Sequence, residues 1–461
     1  MSSPMKYCRY QKYQLKLLIK SIINKFVYII ISFFSMIVVD SFMGLVLLAS
    51  LYHHYTATAL ETEPDPRDTR SSKTTVADIN DIHIVHDTKK TILKPNRIYS
   101  KDELKLVASL NYYYSLYGIQ IEEFKIKTKD NYYLDVWHLK HNTTTKNRKP
   151  ILLIHGLLQS SGSFASSGKD SIAYYLHKQG YDVWLGNNRC GFKYDTWDPK
   201  YWDWDIKEMS EIDLLALMDF VNTKNNYSDK LTLIGHSQGT SEIFMALINN
   251  NSNIRDKIDN FIALSPACYP GPLITSDSIV MQILSTFIES STIFGDRIFM
   301  EIMMTVRNLV VGQSFFSFIC YAIFNYLFDW NDCLWDPNLR DRHFLFSPVY
   351  VSVKLMQWWL SNDLNKLTFK NTPELIYPEY ESWFNKDPKK HNPNILLFVP
   401  KQDRLVDGER LINHFLHYES HINYKIWYIE EYSHLDVLWA TDANKRISKP
   451  IVDFLKSNEK Q

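Results

Sequence analysis

Short apolar runs of strand length alternate with stretches of helix length along most of the chain. This pattern predicts an α/β fold, a mostly parallel sheet flanked by helices. Three observations carry the prediction. "PILLIHG", "YDVWLGNNR", "KLTLIGHS", "NFIALSP" and "NILLFVPKQD" are nearly continuous apolar runs, as strands buried on both faces must be. The segments between them are long enough for crossover helices. A hydrophobic content of 45%, with 29 Tyr, 25 Phe and 12 Trp, supplies a sizeable core and excludes disorder over most of the chain.

Residues 1–25 form a basic segment, with Lys6, Arg9, Lys12, Lys16, Lys20 and Lys25 and no acid. "FVYIIISFFSMIVVDSFMGLVLLASL" follows over 26–51, and Asp40 is its one charge. At about 1.5 Å per residue a helix of that length reaches roughly 39 Å, so 26–51 is expected to be an N-terminal membrane anchor. The basic flank places the N-terminus on the cytosolic side of a single span. A hairpin turning at Asp40 and Ser41 is the alternative, and would keep the rest of the chain in the cytosol. Residues 52–98 read as a polar linker, free of Phe, Tyr and Trp across 56–90.

Ser100 with Glu103 has the pattern of a capping box and predicts a helix through Tyr114. "IQIEEFKIKTKDNYYLDVWHLK", 119–140, alternates as two strands around a turn at Lys129, Asp130 and Asn131. The α/β core is expected over 99–268 and 394–461. About 130 residues separate "FIALSP" from "ILLFVP", far more than one crossover helix needs. Within this insert, 269–393, Leu309 to Phe328 has the length of a second span. Gln313, Ser314, Ser317 and Asn325 interrupt it, and a helical cap over the sheet is the preferred reading.

Lys plus Arg and Asp plus Glu balance at 51 each, so no net field draws the chain to nucleic acid, and no nucleic-acid partner is expected. The five cysteines (Cys8, Cys190, Cys268, Cys320 and Cys333) are scattered without a C-x-x-C, which indicates neither a zinc site nor a disulfide framework.

The candidate chemistry sits in "LTLIGHSQGT". Ser237 stands where an apolar strand hands over to a helical pattern, and Gly235 and Gly239 remove side chains that would collide there. A serine needs a base to take its proton and a third group to orient the base. In a fold of this kind the partners follow in the order Ser, Asp, His at the ends of later strands. Asp403 after "ILLFVP" fits the second place, with Asp407 as its rival, and His434 in "EYSHLDVLW" fits the third. Asp436 reads as structural, and His155 as a brace of the loop after "PILLI". Two backbone amides are needed for the developing oxyanion, and those of Gln238 and Leu157 are the candidates.

"LLIHGLLQSSGSFA", "YDVWLGNNRCGFKY", "YWDWDIKEMSEIDLLALMDFV", "LTLIGHSQGT", "VPKQDRLVD" and "YSHLDVLWATDA" stand in order between Tyr117 and Phe454. Together they resemble the acid lipase family of α/β-hydrolases, and the basic segment, the apolar stretch and the Asn-Asn-Arg-Cys-Gly block most resemble its yeast membrane-anchored steryl ester hydrolases. The resemblance implies an α/β-hydrolase fold and the same roles: Ser237 as nucleophile, Asp403 as acid, His434 as base, Leu157 and Gln238 at the oxyanion. It implies a membrane-anchored esterase that cleaves apolar lipid esters, sterol esters first and triacylglycerols as the alternative, without metal or cofactor. A lipid-binding protein with a hydrolase fold and no catalysis is a further alternative. The expected setting is a membrane or lipid-droplet surface: lipid droplet, endoplasmic reticulum or plasma membrane.

Overall fold

A computed structural model describes residues 37–38, 41–56, 75–88, 97–141, 148–191, 199–224, 230–249, 252–330, 332–371, 373–387 and 389–459. The five apolar runs become β4 to β8 of one sheet. Its strands are β1 (Ile84–Asp87), β2 (Ile121–Lys127), β3 (Tyr133–Leu139), β4 (Pro150–Ile154), β5 (Asp182–Gly186), β6 (Leu231–His236), β7 (Ile258–Leu264), β8 (Asn394–Pro400) and β9 (Tyr424–Ile429). They lie in the order β1-β9-β8-β7-β6-β4-β5-β3-β2. β3 runs antiparallel to both β2 and β5, and the remaining pairs are parallel.

Alternate residues of each strand feed two apolar layers, because successive side chains point to opposite faces. Leu152, Ile154 and Trp184 join one layer, while Ile151, Leu153, Val183 and Leu185 join the other. Register brings the carboxyl ends of three central strands level: Ile154 pairs with Gly235, and His236 with Leu264. Pro400 pairs with Ile429, so the loops that carry Asp403 and His434 leave neighbouring strand ends. Ligands of open α/β sheets bind at this edge.

Six helices matter below: α1 over 41–56, α2 (Gln238–Ile248), α3 (Glu301–Val310), α4 (Ser314–Phe328), α5 (Val353–Leu360) and α6 (Gly408–Tyr418). α3, α4 and α5 belong to the insert between β7 and β8, which is helical as expected of a cap. The apolar stretch through Leu309 to Phe328 is broken at Gly312, whose φ is 92°, so α3 and α4 are separate helices.

The membrane anchor expected over 26–51 is corrected. Among the described residues no helix is long and apolar enough to cross a membrane. Residues 26–36, 39 and 40 lie outside the described residues, as does the basic segment 1–25. Of the expected anchor, residues 37, 38 and 41–51 are described, the latter within α1. One face of α1 is used against the protein itself: Val46 and Ser50 are buried, and the His54 ring meets Phe318 and Tyr321 of α4. The expected membrane-anchored, transmembrane esterase therefore loses its anchor in this structure.

Two smaller differences have local causes. The capping box at Ser100 is present, yet its helix ends at Leu104 and a new one starts at Leu110 behind the Ser109 cap. The Tyr113 hydroxyl accepts from the Val107 amide at 2.9 Å and donates to the Lys105 carbonyl at 2.7 Å, and so holds the intervening chain extended. The segment read as linker contributes β1, which pairs in parallel with β9 and is tied down by Arg446 Nε, 3.0 Å from Asp87.

Ile262 lies fully buried in the middle of β7. Ile262→Ala should cost about 2–5 kcal/mol, as large-to-small core changes do, and thermal melting of the two proteins side by side measures the loss.

Candidate active site

β6 ends at His236 and α2 starts at Gln238, so Ser237 alone makes the reversal between them, with φ 49° and ψ −117°. A positive φ is strained for serine and persists where the surroundings enforce it. Here the Ser237 amide donates to Leu264 O at 3.0 Å, and its carbonyl accepts from the Thr240 amide at 2.8 Å. The glycines follow from the crowding. A Cβ at Gly235 would stand 2.9 Å from the backbone of Gly239, and a Cβ at Gly239 would meet His155 O at 2.9 Å.

The structure brings Ser237, His434 and Asp403 together. Ser237 Oγ donates to His434 Nε2 across 2.8 Å, and His434 Nδ1 donates to Asp403 Oδ2 across 2.6 Å. All three side chains are buried. The second oxygen of Asp403 accepts from the amides of Leu405, at 2.9 Å, and Val406, at 3.3 Å. Asp407 has a different task, since it caps α6 by accepting from the Arg410 amide at 3.0 Å. Asp436 accepts from the Ser433 amide and hydroxyl and from Trp335 Nε1, which fixes the loop that presents His434.

Leu157 follows β4 on a loop that touches the serine directly: a Cβ at Gly156 would lie 3.0 Å from Ser237 Cβ. Gln238 opens α2, where first-turn amides have no acceptor within the helix. Leu157, Ser237 and His434 all line one cavity, with Gln238 next in the chain to the serine. His155 is buried beneath this loop, its Nδ1 2.9 Å from Gly156 O, and burial pushes its pKa down to about 4. A neutral brace is what that environment produces.

Several neighbours were not foreseen from the sequence. His236 sets its Nε2 3.2 Å from the His434 carbonyl and its Nδ1 3.0 Å from Gln159 Oε1, and burial holds its pKa well below the usual histidine range. Ser265 also donates to the His434 carbonyl, at 2.9 Å. Trp330, from the cap, stacks its ring on the His434 imidazole with centroids 5.5 Å apart and planes 4° apart. Beneath α2 the Gln238 side chain donates to Glu242 Oε1 at 3.0 Å and accepts from Trp359 Nε1 of α5 at 2.9 Å. Asn188 donates to the same Glu242 oxygen at 2.8 Å. Glu242 was visible as a lone acid in an apolar helical run, four residues after Gln238. What it meets needed the fold.

The cavity above Ser237 is lined almost wholly by apolar side chains, among them Met281, Met304, Phe324, Leu327 and Trp359. Among the described residues no group of three or more His, Cys, Asp or Glu could hold a metal ion.

Comparison with known proteins agrees with this geometry. Residues 110–168 match the partial alpha/beta-hydrolase lipase region, and 149–289 match the alpha/beta hydrolase fold. Sterol esterase 2 of Saccharomyces cerevisiae is 41% identical, over 94% of this chain and 99% of that protein. The chain belongs to the α/β-hydrolase lipase family. It is also 28% identical to lipase member J of Homo sapiens, over 75% of this chain and 98% of that one. Gastric triacylglycerol lipase of Homo sapiens is 25% identical over 75% of this chain and 90% of its own. As a lipase-family member the protein is a carboxylic ester hydrolase acting on lipid esters.

The hydrolase carries a pH-sensitive group under its nucleophile helix. Burial raises the Glu242 pKa from 4.5 to about 8. The folded state therefore holds a proton that the unfolded chain releases above pH 4.5, and stability falls as pH rises from there through about 8. Across that window the parent should lose melting temperature relative to E242Q, while the buried neutral His155 and His236, common to both proteins, contribute in the opposite sense below about pH 6.5.

Proposed function

We propose that the protein hydrolyses sterol esters to sterol and fatty acid through an acyl-enzyme on Ser237. The observation that carries this reading is the buried chain Asp403–His434–Ser237, with contacts of 2.6 Å and 2.8 Å, opening into an apolar cavity. His434 takes the hydroxyl proton as Ser237 Oγ attacks the acyl carbonyl, and Asp403 keeps the imidazole in the tautomer that can accept it. The amides of Leu157 and Gln238 donate to the oxyanion. His434 then protonates the departing sterol oxygen, and a water that it activates releases the fatty acid.

A sterol ester offers no polar group beyond its ester, which suits walls built from Met, Phe, Leu and Trp. The name of the 41% identical yeast protein, a sterol esterase, supports the same choice. Because such esters barely dissolve in water, the reaction is proposed to take place at a lipid surface, that of a lipid droplet, the endoplasmic reticulum or the plasma membrane.

Purified protein given cholesteryl oleate and triolein in matched dispersions should turn over the sterol ester faster; a preference for triolein would reassign it as a triacylglycerol lipase. S237A should lower turnover by about 10⁴-fold or more and block labelling by a fluorophosphonate. D403N should cost roughly 10³–10⁴-fold in kcat. D407A removes a helix cap, should cost about 1 kcal/mol of stability, and should keep most of its turnover.

A further inference from the structure

We infer that α1 is a wall of the substrate cavity and that Met43 limits the size of ester body the cavity accepts. This rests on the esterase reading above and names a determinant of its specificity. Met43 lines the cavity together with Cys320, Ile323, Phe324 and Leu327 of α4. Phe42 packs against the main core beside it.

The rest of α1 shows why that placement is held. Val46 is 4% exposed and Ser50 0%, which continues the stripe from Met43 at helical spacing. One turn further on, His54 meets Phe318 at 5.1 Å and Tyr321 at 6.0 Å, and His53 meets Tyr326 at 5.7 Å. The opposite face is open, with Leu45 66%, Leu48 65% and Tyr52 74% exposed. α1 thus lies along α4, the helix that contributes most of that wall, and its first turns reach the cavity.

A short acyl group needs only the space beside Ser237. A sterol joined to a long acyl chain must fill the cavity out to its walls, where the methionine side chain sets the room that is left and a larger, rigid ring would leave less. The test compares kcat/KM for cholesteryl oleate and p-nitrophenyl butyrate in the full-length parent, M43W and M43A. M43W should lower the oleate-to-butyrate ratio about tenfold. M43A should raise the ratio by about threefold or more. Ratios within about twofold of the parent in both variants would overturn the inference, whether or not butyrate turnover itself falls. An unaltered protein inactive on both esters would instead count against the esterase reading.

Discussion

The site depends on how closely α2 passes the end of β4. With no side chain at Gly239, the helix backbone settles against the carbonyls of Ile154 and His155, and Gly235 lets the reversal close on itself. That approach forces Ser237 into its positive-φ conformation. It also sets the loop of Gly156 and Leu157 against the serine, so one steric constraint positions both the hydroxyl and the Leu157 amide proposed to donate to the oxyanion. Sheet register does the rest: β7 ends level with β6, β8 and β9 end together two residues further on, and the loops that follow carry Asp403 and His434 to Ser237.

Around this centre the polar groups are arranged in two sets. One holds the base: Asp403 grips its ring, while His236 and Ser265 hold its main-chain carbonyl. The other runs below the nucleophile helix, from Asn188 through Glu242 and the Gln238 side chain to Trp359 of the cap. Buried polar groups are costly unless satisfied, so each set fixes geometry as well as contributing stability. The second joins the sheet to the cap directly under the residue expected to donate to the oxyanion.

The sheet and the site residues were legible because each answers to chain order. β4 to β8 are apolar runs without alternatives, and Asp403 and His434 sit just past strand ends, as the order Ser, Asp, His requires. What stayed hidden depends on partners far away in sequence. β1 is a four-residue edge strand of mixed polarity, recognisable only once β9 is beside it. The break after Leu104 is made by a tyrosine hydroxyl nine residues on, not by local propensity. The apolar stretch before residue 52 misled for a related reason. Composition measures how much apolar surface a helix has, but not whether lipid or a neighbouring helix covers it, and in α1 one stripe is covered by the cap.

The insert also has a consequence for how the chain is made. β7 pairs with β8, but about 130 residues lie between Leu264 and Asn394. At ribosomal rates of about 5–20 residues per second, β8 leaves the ribosome roughly 6–26 s after β7. For that time β7 is an open apolar edge, a template for mispairing. The cap helices emerge during this interval, and α5 already carries Trp359, whose partner Gln238 was synthesised earlier. The cap is thus placed to shield the half-built sheet before the acid and the base exist.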